Sequence, residues 1–228
     1  MSHPVRTLLS WSSGKDSAWA LHQLQQDPNI ELVGLFTTIN REAGRVAIHG
    51  IRESLLDAQA HSAGLPLYRI PLPFPCSNEQ YQACMTQFQQ QALADGVEAF
   101  AFGDLLLEDV RDYRVDMLKD SGIQPLFPLW GRATPDLAHT MITAGLKARI
   151  VCLQHDKLDQ QMLGREFDHQ LLADLPAGID PCGENGEFHT FAWNGPMFRH
   201  PIPVTSGTLV VTEHASFIDL LGDTAGTD

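Results

Sequence analysis

Short apolar runs alternate with segments of helical period along residues 1–130 of the chain. This alternation predicts repeated βαβ units and therefore a mostly parallel β-sheet. Polar or glycine-bearing loops follow each run within a few residues, as loops between strands and helices do. The five predicted strands are Arg6–Ser10, Ile30–Thr37, Leu67–Leu72, Val97–Gly103 and Gln124–Leu129.

The segments between these strands are amphipathic, and the third has the clearest helical period. One of its faces is apolar while glutamines lie opposite, which predicts a core surface formed by Tyr81, Cys84, Met85, Phe88 and Ala92. A helix is also predicted over Arg52–Ala63, because Gly64 and Pro66 follow it. A later helix is predicted to start with Thr134 as N-cap and Pro135 in its first turn.

We place a domain boundary near Gly131, between residues 1–130 and residues 131–228. Lys147–Gln154 is a sixth apolar run, and the helical period weakens after it. Further along, Thr208–His214 is rich in β-branched residues and predicts another strand. The second part is therefore predicted to be a smaller α+β domain.

Composition limits the classes of function. A chain of 228 residues that is 43% hydrophobic can bury a substantial core. We expect a cytoplasmic protein, since neither a signal-peptide pattern nor an apolar stretch of membrane-spanning length is visible. The four cysteines form no CxxC pair, which argues against a zinc knuckle. A net charge of −13 weighs against an extended nucleic-acid surface, although a small phosphate ligand needs only a local set of N–H groups and cations.

The segment Ser12–Ser17, with the sequence Ser-Ser-Gly-Lys-Asp-Ser, follows the first predicted strand and opens a helical stretch. Such a turn leaves backbone N–H groups unpaired and favours phosphate. Lys15 can add a positive charge, while Asp16 and Ser17 can cap the helix. A Walker A loop is disfavoured, because Leu9 stands where its first glycine belongs. The segment resembles the SGGxDS pyrophosphate loop of N-type ATP pyrophosphatases, with Ser13 in place of a glycine; an ordinary helix-capping turn is the alternative.

A second polar segment, Gly103–Arg114, leaves the fourth predicted strand. If the segment is helical, Glu108, Arg111 and Asp104 share a face through their spacing. Asp104 can bind Mg²⁺ or a ribose hydroxyl, and Arg111 or Arg114 can neutralise phosphate charge. The alternative is a solvated helix with internal ion pairs.

A third polar segment, Asp180–Thr190, contains closely spaced glycines, carboxylates and a histidine. Its spacing fits neither an EF-hand nor a zinc site. One interpretation is a recognition edge for an amine or carboxylate, formed by Glu184, Asn185 and Glu187, with His189 orienting a group or moving a proton. The other is a structural turn that uses the conformational freedom of glycine.

Taken in order from about Thr7 to Pro203, these segments resemble the diphthine-ammonia ligase family. The resemblance is carried by Ser12–Ser17, His49-Gly50, Gly103–Arg114, Pro128–Gly131 and Asp180–Thr190. It implies a HUP-type nucleotide-binding domain followed by a smaller domain. Together with right-handed crossovers, it favours a doubly wound parallel sheet of order 3-2-1-4-5, in which strands one and four are neighbours at the ligand-binding switch point.

The same resemblance implies that ATP adenylates a carboxylate and that ammonia then displaces AMP to form an amide. In characterised members the carboxylate belongs to diphthine, a modified histidine on a translation elongation factor. The implied ligands are ATP, Mg²⁺ and ammonia, and the ammonia is free or comes from a partner because no glutaminase segment is visible. A homo-oligomer is compatible with the sequence, and no membrane partner is expected.

The residues implied for this chemistry fall into three groups. The expected catalytic residues are Lys15, Asp16, Glu184, Glu187 and His189. The expected nucleotide-binding residues are Ser10, Ser12, Ser13, Gly14, Lys15, Asp16, Ser17, Thr37, His49, Gly103 and Asp104, with Asp104 also the candidate magnesium ligand. The expected substrate-binding residues are Glu108, Arg111, Arg114, Asn185 and Gly186. Two alternatives remain, namely a tRNA-modifying ATP pyrophosphatase, which the charge and cysteine pattern disfavour, and a non-catalytic ATP or AMP sensor.

Overall fold

A computed structural model describes residues 3–40, 45–46 and 51–222. The first of its two sheets comprises β1 (Val5–Ser10), β2 (Ile30–Asn40), β3 (Arg45–Val46), β4 (Leu67–Leu72), β5 (Ala99–Ala101) and β6 (Gln124–Leu126). Five of these strands are parallel and lie in the order β4-β2-β1-β5-β6, while β3 pairs antiparallel with the end of β2. Counted along the chain without β3, this order is 3-2-1-4-5, so the predicted doubly wound sheet is confirmed.

Four helices connect these strands: α1 (Lys15–Gln25), α2 (Glu53–Ala63), α3 (Asn78–Ala94) and α4 (Glu108–Leu118). The end of α2 is set by Gly64, whose left-handed φ of 71° suits glycine. A reciprocal capping box between Ser77 and Gln80 starts α3. The predicted core face of α3 is confirmed, because Met85 is buried and its neighbours on that face pack against the same cluster.

The second part of the chain forms an antiparallel sheet. Its elements are α5 (Thr134–Thr143), β7 (Lys147–Gln154), a short 3₁₀ turn (Gln160–Met162), α6 (His169–Asp174), β8 (Phe188–Asn194), β9 (Val204–Val211) and β10 (Ala215–Gly222). The strands lie in the order β8-β7-β10-β9. The predicted sixth run coincides with β7, whereas the run predicted over Thr208–His214 is only partly a strand. Its last residues form the β9–β10 turn, in which the N–H of Thr212 donates to the carbonyl of Ala215.

Strand alternation gives the first sheet two buried faces. In β1, Leu8 packs into a cluster with α3 and α4, while Leu9 packs into a larger cluster on the opposite face. That larger cluster also contains Ile150 of β7 and Phe191 of β8. The two sheets therefore share one continuous core. Within the described residues no helix is both long enough and apolar enough to cross a membrane.

Two strands are shorter than predicted, and their ends matter for the site. Predicted strand Val97–Gly103 is reduced to β5, and predicted strand Gln124–Leu129 is reduced to β6. The residues after β5 leave the sheet beside the end of β1, with which β5 pairs directly. Parallel strands that end side by side open a crevice between their connections, and ligands bind in such crevices.

Candidate active site

A cavity of about 190 Å³ lies where β1 and β5 end. It is lined by Ser10, Ser12, Asp16, Ser17, Phe102, Gly103, Asp104, Leu107, Val110, Arg114, Glu184 and His189. Residues from all three polar segments of the sequence therefore meet in one place. The volume is below the roughly 300 Å³ at which small-molecule pockets usually begin, so it suits a phosphate group and a reaction centre better than a whole nucleotide.

The loop between β1 and α1 has a strained backbone at Ser13. Its φ of 71° lies in the left-handed region, and its side chain is fully buried. For a residue other than glycine this conformation costs about 1–2 kcal/mol. The hydroxyl of Ser13 has no hydrogen-bond partner among the described residues. The strain therefore has to be offset by contacts of the surrounding backbone.

The start of α1 differs from the predicted capping. The N-cap residue is Gly14, which has no side chain with which to cap the helix. Ser17 instead donates its hydroxyl to the carbonyl of Gly14 at 3.0 Å, and Asp16 pairs with Lys15, so the prediction that Asp16 and Ser17 cap the helix is wrong. A helix start without a side-chain cap can offer its N–H groups to an anion.

Gly103 lets the end of β5 approach this helix start closely. A Cβ atom at Gly103 would lie 3.1 Å from backbone atoms of Asp16 and from the backbone nitrogen of Ser17. Any larger residue would push the two segments apart. Glycine at this position therefore allows the loop Ser12–Ser17 to lie next to Asp104 at the cavity.

Lys15 points into the protein rather than into the cavity. Its side chain is only 2% exposed, and its ammonium donates to Asp16 Oδ2 at 2.8 Å and to the carbonyl of Cys182. The rings of Phe167 and Phe188 flank it, each with its centroid 5.6 Å from Nζ. Burial is the largest single effect and would lower the pKa of Lys15, but the charge and hydrogen bond of Asp16, with smaller effects of Cys182 and Glu184, together outweigh it and the pKa is raised.

Lys15 therefore stays charged and connects the segment Asp180–Thr190, which we call the late loop, to the start of α1. Its backbone N–H reinforces this connection by donating to Thr190 Oγ1 at 3.0 Å. In this arrangement the ammonium does not line the cavity. A direct contact between Lys15 and phosphate, as expected from the sequence, would require the side chain to leave these partners.

Three carboxylates face the cavity, from Asp16, Asp104 and Glu184. Burial and the charge of Asp16 raise the pKa of Asp104 despite the nearby guanidinium of Arg114. Burial and the same Asp16 charge raise the pKa of Glu184 to about 7, against the lowering effect of the Leu106 N–H that donates to its Oε2 at 3.2 Å. Since Lys15 pairs with Asp16 and Arg114 lies beside Asp104, the negative charge without a cationic partner in the described part of the chain is that of Glu184 in its ionised form.

The carboxylate oxygens at this cavity are donors of the kind that a divalent cation prefers. Asp104 Oδ2 is buried without a hydrogen-bond partner among the described residues and lies 3.7 Å from Arg114 Nε. No group of three or more potential metal ligands exists within that part of the chain. Mg²⁺ commonly takes one or two carboxylates and completes its octahedron with water and substrate phosphates. The donor set present here fits that mode of binding.

The cavity face of α4 differs from the predicted one. The helix begins only at Glu108, so Asp104 precedes it and cannot share a helical face with Glu108 and Arg111. The residues that line the cavity are Leu107, Val110 and Arg114, at helical spacing. Glu108 is exposed outside the cavity.

Arg111 and Arg114 are oriented by aromatic rings. The guanidinium of Arg111 lies 4.8 Å from the ring centroid of Trp130, and that of Arg114 lies 5.0 Å from the ring centroid of Phe102. Such cation–π contacts hold a guanidinium while leaving its N–H groups available to an anion. Of the two, Arg114 reaches the cavity.

The late loop divides into a structural part and a cavity-lining part. Glu187 is 2% exposed, and its carboxylate accepts from the N–H of Asp180 at 3.1 Å and from the N–H and side-chain amide of Asn185 at 2.9 and 3.1 Å. Although burial opposes it, these hydrogen bonds lower the pKa of Glu187. Gly186 donates its N–H to the carbonyl of Gly183 at 3.1 Å. Glu187, Asn185 and Gly186 thus shape the loop, whereas Glu184 and His189 line the cavity.

The remaining predicted residues lie in different places. Ser10 lines the cavity at the end of β1. Thr37 is buried in β2 opposite Arg69 and is not part of the cavity wall. His49 lies outside the described residues.

Sequence reasoning missed two buried polar residues that support the site, Gln59 and Thr190. The hydroxyl of Thr190 accepts a hydrogen bond from the N–H of Lys15, and the side-chain amide of Gln59 donates one to the carbonyl of Ser13, in the segment Ser12–Ser17 that we call the phosphate loop. The one signal for Gln59 was a polar residue between apolar neighbours of α2, which does not indicate its partners.

Comparison with known proteins matches nearly the whole chain to the two domains of one family. A family model described as the diphthamide synthase N-terminal domain matches residues 5–125, and one described as the diphthamide synthase C-terminal domain matches residues 133–221. The diphthine–ammonia ligase of Bos taurus is 27% identical over 228 residues, covering 90% of this chain and 85% of the relative.

Two further relatives carry the same name. The Homo sapiens protein is 28% identical over 178 residues, covering 71% of this chain and 66% of its own length. The Schizosaccharomyces pombe protein is 25% identical over 225 residues, covering 90% of this chain but 36% of its own length. Residues from Ser12–Ser17, Asp104 and Asp180–Thr190 meet at one cavity. The N-terminal family model alone covers more than half of the residues of the chain. The chain therefore belongs to the diphthamide synthase family.

Proposed function

We propose that this chain is an ATP-dependent ligase that adenylates a carboxylate and lets ammonia displace AMP. The observation that carries the proposal is the single cavity shared by the start of α1, by Asp104 and Arg114, and by the late-loop residues Glu184 and His189. An anion site beside a titratable carboxyl group is what successive phosphate and amine chemistry requires. The relatives named diphthine–ammonia ligase support the same reaction class.

In the first step, an oxygen of the substrate carboxylate attacks the α-phosphorus of ATP. The bond from that phosphorus to the bridging oxygen of the β-phosphate breaks, and pyrophosphate leaves. The N–H groups at the start of α1 and the guanidinium of Arg114 would bind the departing phosphates, which stabilises the charge that develops on them. Asp104 and Asp16 would hold Mg²⁺, which when bound neutralises phosphate charge.

In the second step, the nitrogen of ammonia attacks the acyl carbon of the adenylate. The carbon–oxygen bond to AMP breaks, and the new C–N bond leaves a surplus proton on nitrogen. Glu184 would accept this proton, because a pKa of about 7 matches a base that works near neutrality. His189 borders the same cavity and would orient the attacking or leaving group.

The natural carboxylate is proposed by likeness to the relatives. Their printed name gives diphthine and ammonia as substrates, so we propose a diphthine-like carboxylate on a translation elongation factor and free or partner-derived ammonia. Such a partner would place the protein in the cytoplasm. The net charge of −13 opposes a polyanionic RNA substrate.

The test measures pyrophosphate release from Mg–ATP, with and without ammonium and a panel of carboxylates that includes a diphthine-bearing protein. We expect release to need a carboxylate, and amide formation to need ammonium as well. Asp104→Asn and Glu184→Gln should each reduce the rate of amide formation about 100-fold. Asp112→Asn is the matched control, because Asp112 is exposed on α4 and lies outside the cavity.

The two mechanistic steps are separable in this assay. Glu184→Gln should retain pyrophosphate release with the carboxylate alone, since Glu184 acts only when ammonia attacks. ATP or AMP binding without any turnover would support the sensor alternative instead. Turnover that Asp104→Asn and Glu184→Gln leave unchanged would contradict the assignment of the site.

A further inference from the structure

The side-chain amide of Gln59 lies fully buried between three segments of the chain. Its oxygen accepts from the indole N–H of Trp11 at 2.9 Å. Its nitrogen donates to the carbonyl of Ser13 at 3.0 Å and to the carbonyl of Ala192 at 2.6 Å. One side chain on α2 therefore joins the phosphate loop to β8 of the second sheet.

These contacts fix a particular peptide plane. The carbonyl of Ser13 accepts a second hydrogen bond, from the N–H of Ala192 at 2.9 Å, so two donors hold it. Because a peptide unit is planar, fixing this carbonyl also fixes the direction of the Gly14 N–H on the opposite side. That N–H donates a long hydrogen bond of 3.4 Å to the hydroxyl of Ser12, a residue of the cavity wall, so it lies on the cavity side of the loop.

The same contacts explain why Ser13 keeps a positive φ. A left-handed serine persists only where its surroundings determine the backbone. Here the two hydrogen bonds to its carbonyl come from residues far away in the sequence, on α2 and β8. Without the Gln59 donor, only the Ala192 N–H holds the Ser13 carbonyl, so the Ser13–Gly14 peptide is less restrained against rotation toward a more common conformation.

We infer that Gln59 is a positioning residue for pyrophosphate binding: it holds the Ser13–Gly14 peptide so that the loop keeps the backbone conformation needed to bind the anion. It touches no reacting atom itself. The inference rests on the proposed binding of the ATP phosphates at this loop. It predicts that Gln59 matters for ligands that occupy the phosphate loop and not for the rest of the nucleotide.

The test compares Gln59→Met with wild type by isothermal titration calorimetry, using pyrophosphate and AMP as separate probes in the presence of Mg²⁺. Methionine keeps a similar side-chain volume but removes both donors. We expect the affinity for pyrophosphate to fall about tenfold and the affinity for AMP to stay within about twofold of wild type. The indole N–H resonance of Trp11 in a ¹⁵N-labelled sample should shift, reporting loss of its acceptor.

Ser62→Ala is the matched control. Ser62 is also fully buried on α2 and also bonds to the second part of the chain, through the carbonyl of His200 at 2.5 Å. Ser62 makes this hydrogen bond to His200 and not to the phosphate loop. The substitution should therefore lower the stability of the protein without changing its affinity for pyrophosphate.

The outcomes separate the inference from the proposed function. Equal loss of pyrophosphate and AMP affinity in Gln59→Met, or no loss of either, overturns the positioning role. If wild type binds neither probe, the proposed function fails and the inference fails with it. If Gln59→Met does not fold, Trp11→Phe removes the N–H that orients the amide, and it should weaken pyrophosphate binding selectively about threefold. Unchanged pyrophosphate affinity in folded Trp11→Phe would then overturn the role.

Discussion

Among single residues, Glu184 has the clearest dependence on pH. Its folded-state pKa of about 7 lies above the value of about 4.3 expected in an unfolded chain, so the folded protein binds more protons between these values. The contribution of Glu184 to the free energy of unfolding is therefore present at low pH and is lost as the pH rises through about 7. Ionising this carboxyl group opposes folding.

We predict that Glu184→Gln gains stability relative to wild type as the pH increases. The amide cannot ionise, so the variant avoids the cost of a buried charge beside Asp16. Thermal unfolding at about pH 5 and about pH 8 should show the difference in Tm moving in favour of the variant at the higher pH. A constant difference across this range would contradict a raised pKa for Glu184.

Ser13 shows what residue-level sequence reasoning can and cannot reach. The sequence identifies it as a departure from glycine in a phosphate loop. It does not identify Gln59 and Ala192 as the donors that hold its carbonyl, because both are remote in the chain. Lys15 presents the same difficulty, since nothing in its neighbourhood along the sequence indicates the buried Cys182 carbonyl that it contacts.

At the scale of elements, the late loop is held together by one carboxylate. Glu187 accepts hydrogen bonds from Asp180 and Asn185, and its lowered pKa reflects them. Glu184 lies between Asp180 and Asn185, which Glu187 holds in place. The position of Glu184 in the cavity wall therefore depends on Glu187, although Glu187 does not line the cavity. Glu187 therefore acts through the loop conformation.

We predict that Glu187→Gln destabilises the protein by about 1–3 kcal/mol, because its amide places N–H groups opposite donors that need an acceptor. Urea unfolding should show this at neutral pH, and the difference from wild type should shrink as acid protonates Glu187 below about pH 4. Glu213→Gln, at an exposed position in the β9–β10 turn, should change the free energy of unfolding by less than about 0.5 kcal/mol. A pH-independent loss in Glu187→Gln would argue against the carboxylate as the acceptor.

Helix α4 illustrates why element boundaries limit the prediction of a site. The sequence predicted, for a helical segment, a face shared by Asp104, Glu108 and Arg111, but the helix begins only at Glu108 and its cavity face carries Val110 and Arg114. Arg114 reaches the cavity, whereas Glu108 does not.

At the scale of the whole molecule, the two sheets share one core. The larger cluster joins Leu9 and Leu35 of the first sheet to Ile150 and Phe191 of the second. The order and direction of the parallel strands could be predicted, because right-handed crossovers and the resemblance to the diphthine-ammonia ligase family both favour the order 3-2-1-4-5. How the second sheet packs on the first could not, because no local periodicity encodes it.

We predict that residues 1–130 expressed alone do not form a cooperatively folded unit. The segment would expose the apolar face that β7 and β8 cover, and Ser13 would lose the Ala192 donor. Calorimetry should show a single transition for the whole chain and no cooperative transition for the segment. A segment that unfolds cooperatively and binds pyrophosphate with wild-type affinity would refute this.

The bond between Ala192 and Ser13 also has a consequence for synthesis on the ribosome. Ser13 belongs to the phosphate loop, which is made early in translation. Its partner Ala192, in β8, is added only after more than 170 further peptide bonds have been made. A nascent chain consequently gains the proposed ability to bind phosphate at this loop only after β8 has been made. Premature termination before β8 would yield a polypeptide that carries the motif without the binding property.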